Sequence, residues 1–290
     1  MLLDTYVNQI VSGVLTGLVY GLSALGLSVI FGVCKIVNFA HGEMMVIAMY
    51  LALVIFRSLG LDPLLSVPLV AVVLFAFGYG LQAGIINRLI DVPDYMQFLL
   101  LAAIAIMIVS ACLMIFGPDA QNVPLPYAYD SYEFGPILVD KVRVFAGGAA
   151  IVVAALLAAF FRWTRTGKAI RACADNLTGA RVIGLNVKHL FALSFGLGTA
   201  CIAAAGCILL MLVDVHPYLA TEYTLLAFVV VIVGGLGSLT GALLGGVLIG
   251  VSEALAGLLI DPSLKSMFSF GLLILVLLFR PQGLLGKRAS

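Results

Sequence analysis

Apolar positions along the chain fall into long runs separated by short polar bends. Runs at 10–33, 64–86, 97–116, 144–161, 190–213 and 264–279 match the roughly 17–25 residues that a helix needs to cross a bilayer core. None shows the period-two alternation of a membrane barrel strand. Backbone polar groups in lipid must be satisfied within each segment, so the runs predict a helix bundle. Two further runs are shorter. Met44 to Phe56 follows the bend "NFAHGE" (38–43), and Tyr223 to Val233 precedes "GGLGSLTG" (234–241). The pattern predicts an all-α polytopic membrane protein of about eight to nine transmembrane segments, with short or broken helices and an internal repeat. Residues 1–290 read as one transmembrane domain.

Composition supports this class. Hydrophobic residues make up 63% of the 290 and charged residues only 10%, where a soluble domain carries about 25% charged. No Lys or Arg precedes the first apolar run, which carries Asp4 instead. A cleavable signal peptide would have a basic start, so the first run is expected to belong to the mature fold. The five cysteines show no CxxC spacing and read as small buried hydrophobes. Net charge is only +1, but its distribution is uneven. Arg162, Arg165, Lys168, Arg171, Arg181 and Lys188 crowd the segment 162–188, and Arg280, Lys287 and Arg288 crowd the C-terminal end. The positive-inside rule places both in the cytoplasm. The segments 117–141 and 214–222, rich in Asp and Glu, then fall outside.

The motifs argue against an enzyme. "GGLGSLTGALLGG" lacks the Lys of a phosphate-binding loop, and "RTGKA" has Arg162 in place of the first Gly and Ala169 in place of Ser or Thr. A serine nucleophile would need a histidine base, and His41, His189 and His216 fall on loops or helix ends. His41 and Glu43 could form half a metal site, but zinc needs about three or four ligands; neither a metal nor a cofactor is expected. Transport remains. Short, Gly-flanked membrane segments in two halves of a chain point to a transporter's binding site. They mark Asn38, His41 and Glu43 at one bend and Gly234, Gly235, Gly237 and Thr240 at the other as pathway or gate candidates. For the first bend the alternative is structural capping.

Glycines at 13, 17 and 21 and at 237, 241 and 245 repeat at four-residue steps, each set with "LTG". They suggest a duplication, or close helix packing. Glu253 shares a helix face with Ala242, Gly246, Gly250 and Gly257. An ionisable residue inside a membrane is a functional candidate by default, with a structural carboxylate as the alternative. In 166–188, Ile170, Cys173, Leu177 and Ala180 recur at helical spacing. That stripe either lies on the membrane surface or docks into a cytoplasmic partner. Alternating aromatics across 127–134 predict a short outer hairpin.

"GLVYGLSALGLSVIFGVCKIVNFAHGEMM", "RTGKAIRACADN…GLNV", "GGLGSLTGALLGGVLIGVSEAL" and "RPQGLLG" occur in order from residue 12 to residue 286. Together they resemble the membrane permease of branched-chain amino-acid ABC importers. The resemblance implies a bacterial inner-membrane subunit with a cytoplasmic C-terminus. Its expected partners are a second related permease, two cytoplasmic ATPases, a periplasmic substrate-binding protein and membrane lipid, with no nucleic acid. It also implies that 162–188 is an ATPase-coupling loop, carried by Lys168, Ile170, Arg171, Cys173, Asp175, Leu177, Arg181 and Gly184. The Glu-Ala-Ala signature of many such loops stands here as Ala174-Asp175-Asn176. Relatives of this family carry urea, amides or aromatic acids too. A channel or ion-coupled transporter is the alternative from another class, and it would need clustered intramembrane carboxylates.

Overall fold

The computed structural model describes residues 2–89, 92–135, 137–261 and 264–286. In chain order it contains α1 (Leu2–Cys34), α2 (His41–Leu59), α3 (Pro63–Gly84), α4 (Asp94–Phe116), β1 (Ser131–Phe134), β2 (Ile137–Asp140), α5 (Lys141–Trp163), α6 (Arg165–Asp175), α7 (Leu177–Val182), α8 (Val187–Leu209), α9 (Leu219–Gly234), α10 (Leu239–Leu259) and α11 (Lys265–Phe279). Among the described residues, seven helices are long and apolar enough to span a membrane, and α9 and α11 are shorter apolar helices. This is the all-α polytopic class that the runs predict. Several helices extend beyond their apolar runs, α1 and α9 among them. The short run at 44–56 grows into the 19-residue α2 because His41, Gly42 and Glu43 join at its start and Arg57, Ser58 and Leu59 at its end. The run at 264–279 forms the 15-residue α11, about 22 Å long at 1.5 Å per residue.

Helix α1 is the axis of the bundle and packs on α10, α8 and α5, while α3 packs on α8. The α1–α10 seam is made by glycines. A Cβ added at Gly17 would stand 2.7 Å from Val247 Cα, and one at Gly21 would stand 3.0 Å from Leu243 Cα. The second ladder is used in the same way, with Gly241 and Gly245 against the backbone of Gly234 and Val230 on α9. Close approach of backbones therefore accounts for both glycine ladders. On the α3–α8 seam, the Thr199 hydroxyl donates to the Leu74 carbonyl at 2.8 Å, satisfying a polar group inside an apolar contact. The outer surfaces of α4, α5 and α11 are apolar, with Met114 86% exposed. Such a surface suits lipid.

At the end of the bundle where α2 finishes, the connections are tied together by polar contacts. Backbone bonds join Gln121 to Val215, and Arg57 Nη1 donates to Gln121 Oε1 at 2.8 Å. The hairpin is present, but its strands lie at 131–134 and 137–140, later than the aromatic alternation places them. Pro124 and Pro126 lack the N–H donors a strand needs, and the chain turns instead through Leu125–Asp130. Tyr127 is consequently a tie and not a strand residue. Its hydroxyl donates to the Asp62 carboxylate, and its ring meets Phe145 edge-on. Burial and the Asp62 carboxylate push the Tyr127 phenol well up from its ordinary value. Tyr129 is 99% exposed.

The opposite end carries α6 and α7, capped by the side chains of Thr164 and Asn176. The stripe read as a docking surface turns inward. Ile170, Cys173 and Ala180 are buried in the core, and Leu177 is partly buried against it. Residues spent on packing to the chain's own bundle are not free to dock a partner. Burial also raises the Cys173 thiol.

Candidate functional site

The bend between α1 and α2 lies inside the bundle. Asn38 and His41 are 0% exposed and Glu43 is 6% exposed. Helix α1 closes at Lys35, whose N–H reaches the Phe31 carbonyl at 3.0 Å and whose positive φ of 59° turns the chain out of the helix. Asn38 Oδ1 then accepts from the Ala40 N–H at 3.1 Å, the turn that Asn side chains favour. Ala40 offers no side-chain cap to α2, and a helix start buried in the bundle cannot borrow water. The cap comes from another helix. The Gly42 N–H donates to Thr224 Oγ1 at 2.8 Å, and the Thr224 hydroxyl donates to Glu43 Oε2 at 3.3 Å. His41 Nε2 faces Ser23 Oγ at 3.0 Å. Structure thus joins Asn38, His41 and Glu43 into one buried group, completed by Ser23 from α1 and Thr224 from α9.

The break between α9 and α10 is made mainly of backbone. Gly235 and Gly237 have φ of 107° and 79°, a region that L side chains rarely adopt. The carbonyls of Val233 and Gly234 accept from the Leu284 and Leu285 N–H groups at 2.9 and 3.0 Å. The "RPQGLLG" segment therefore caps α9, which gives that terminal motif a structural purpose. Ser238 Oγ caps α10 by accepting from the Gly241 N–H at 3.1 Å. Thr240 is exposed and sits 3.4 Å from the Ser238 hydroxyl.

Glu253 stands apart from both breaks. It lines a cavity of about 550 Å³ between α1, α9, α10 and α11. The Ser269 hydroxyl donates to Glu253 Oε1 at 2.6 Å, and Tyr20 hydrogen-bonds the same carboxylate. Of the cations near this end of the bundle, Arg57 is engaged with Gln121, and Lys265 lines the cavity. Helix α9 separates the cavity from the first break: Tyr223 lines the cavity while its neighbour Thr224 caps α2.

The site residues therefore form three groups and not one. Among the residues assigned to coupling, Lys168, Arg171, Asp175, Arg181 and Gly184 are exposed, and Val182 and Ile183 beside them are 81% and 72% exposed. Lys287 and Arg288 lie outside the described residues. Sequence reasoning missed Ser23, Thr224, Tyr20 and Ser269. Lone hydroxyls in apolar runs carry no periodic signal, and each gains meaning only from its partner on another helix.

Comparison with known proteins agrees with this architecture. Residues 9–277 match the family described as "Branched-chain amino acid transport system / permease component". The high-affinity branched-chain amino acid transport system permease protein BraD of Pseudomonas aeruginosa is 32% identical, over 97% of this chain and 96% of its own length. LivH of Escherichia coli, a permease protein of the same name, is 32% identical over the same shares. A probable branched-chain amino acid transport permease protein LivH of Methanocaldococcus jannaschii is 27% identical, over 87% of this chain and 80% of its own length. No solved structure matches. The match to the family over most of the chain, with nearly full-length relatives at this identity, means that the chain belongs to the permease components of branched-chain amino acid transport systems.

Proposed function

We propose that the chain is the membrane-spanning subunit of an ATP-driven importer for hydrophobic amino acids, branched-chain ones first. The observation that carries this reading is the buried polar group at the start of α2. A discontinuous helix with a first-turn N–H, that of Gly42, capped by Thr224 of a second helix ties two elements at a point that can open or close with them. Irregular backbone inside a membrane is tolerated against protein or a water-filled path, and the start of α2 suits a gate. The basic segment 162–188 and the C-terminus face the cytoplasm, and the β1–β2 hairpin faces the opposite side, in the inner membrane of a bacterial cell. A second related permease completes the bundle, a binding protein delivers substrate on the hairpin side, and two ATPases dock on the basic side.

Docking is assigned to the exposed side of α6 and α7. Lys168, Arg171, Asp175 and Arg181 supply charge there, and Val182 and Ile183 supply an apolar knob. Buried Ile170 and Cys173 hold that side on the bundle. The test is reconstitution of the chain with the second permease, the ATPases and the binding protein in proteoliposomes. ATP-dependent leucine uptake is expected, and Ile183→Asp should lower it by about tenfold or more, which is about 1.4 kcal/mol, while the complex still inserts. Uptake driven by an ion gradient without ATP would overturn the reading.

A further inference from the structure

The cavity between α1, α9, α10 and α11 combines features that neither helix break has. Groups of both charges share it with an apolar wall: the carboxylates of Glu253 and Glu222, the ammonium of Lys265, and Leu226, Val229 and Phe270. Its volume of about 550 Å³ lies within the roughly 300–1,000 Å³ of small-molecule sites. The charges are graded in depth. Glu222 and Lys265 are exposed at the mouth, whereas Glu253 is drawn inward and held by Ser269, which is only 2% exposed. A carboxylate held by hydroxyl donors and facing open volume, not a packed neighbour, is ready for a cation. Two carboxylates against one ammonium leave the cavity one negative charge in excess, which disfavours a simple anion. The wall adds nothing to binding a bare metal ion.

The geometry points to this cavity as a site for the zwitterionic backbone of a hydrophobic amino acid. Glu253 takes the ammonium, Lys265 takes the carboxylate at the mouth, and the side chain lies on Leu226, Val229 and Phe270. A ligand lacking the ammonium leaves Glu253 desolvated and unpaired, which is how buried polar groups discriminate. One lacking only the carboxylate forfeits the contact at the mouth, where solvent already screens the charge. The cavity is thus more selective for the ammonium than for the carboxylate. This assignment rests on the importer reading above and gives it a substrate contact.

The test measures binding of radiolabelled leucine to the assembled importer in lipid nanodiscs without the binding protein, with ATP-dependent uptake recorded in parallel. Leucinamide, which keeps the ammonium, should displace leucine; 4-methylpentanoate, which keeps only the carboxylate, should not. Glu253→Gln should weaken leucine binding by about tenfold or more. Lys265→Met should weaken leucine binding while leaving leucinamide unaffected. The Lys265 variant and the competitor series decide the matter even if Glu253→Gln does not assemble. Unchanged binding in Glu253→Gln, or equal displacement by both competitors, overturns the site while wild-type uptake leaves the importer reading standing. A phospholipid that stays bound in the cavity and is not displaced by leucine would reassign it to lipid. Absence of both leucine uptake and leucine binding in the wild type would overturn the two together.

Discussion

The two helix breaks face the same problem and solve it with different chemistry. At 35–40 the freed backbone is satisfied by side chains: Asn38 closes the turn, and Thr224 caps α2 from across the bundle. At 235–238 left-handed glycines make the bend, the 284–285 amides cap α9, and the side-chain cap, Ser238 on α10, stays within its own helix. Position explains the difference. At the first break Lys35 is exposed but Asn38, Ala40 and His41 are fully buried, and a buried donor without a partner costs about 1–3 kcal/mol. The second lies beside the exposed residues Leu236 and Thr240, where water can substitute. A side-chain cap joins two helices and can be released by their movement. A backbone clamp holds a single hinge shape. On the importer proposed above, gating falls to the first break and rigidity to the second.

The largest effect tests whether both breaks depend equally on backbone approach. A Cβ at Gly42 would overlap the Ala220 carbonyl oxygen and press on Thr224 Oγ1 at 2.5 Å. Gly42→Ala should therefore force α2 from α9 and cost about 3 kcal/mol or more, read as loss of monodisperse complex and of uptake. Gly235→Ala meets the Gly286 backbone as well as a φ of 107° and should be as damaging to folding. A Gly42→Ala variant that folds and transports normally would separate the α2 start from any gate.

A smaller effect separates capping from packing. Thr224→Val keeps the shape but removes the acceptor for the Gly42 N–H and the donor to Glu43. It should cost about 1–3 kcal/mol and change the uptake rate, whereas Thr224→Ser, which keeps the hydroxyl, should restore most of both. Thermal unfolding of the purified complex together with leucine uptake checks this. Equal behaviour of Val and Ser at this position would make Thr224 a space-filler.

Much of this architecture was legible in the sequence because it follows from hydropathy. Run lengths gave the helices, and "NFAHGE" and "GGLGSLTG" marked the two breaks because Gly, Asn and Ser interrupt otherwise unbroken apolar stretches. What was not legible depends on pairs distant along the chain. Thr224 lies 182 residues from Gly42, and nothing local to either names the other. The stripe of Ile170, Cys173, Leu177 and Ala180 was visible as helical periodicity, but periodicity does not say which surface it meets; the bundle itself covers it. Glu253 stood out by its charge, while its partners Ser269 and Tyr20 were indistinguishable from other residues of their helices.

The smallest effect is the one most specific to the comparison. Ser238 caps α10 within its own helix, accepting from the Gly241 N–H at 3.1 Å, and it is only partly buried. Removing an N-cap costs about 1 kcal/mol, and this one ties no second helix to α10. Ser238→Ala should therefore shift the midpoint of thermal unfolding by only about 2–4 °C, with leucine uptake unchanged. The same hydroxyl deletion at buried Thr224 strands a donor at the boundary between two helices, so both stability and rate should move. If Ser238→Ala proves as costly as Thr224→Val, or alters uptake while the complex stays folded, the second break is part of the moving machinery and the contrast between a releasable cap and a fixed clamp fails.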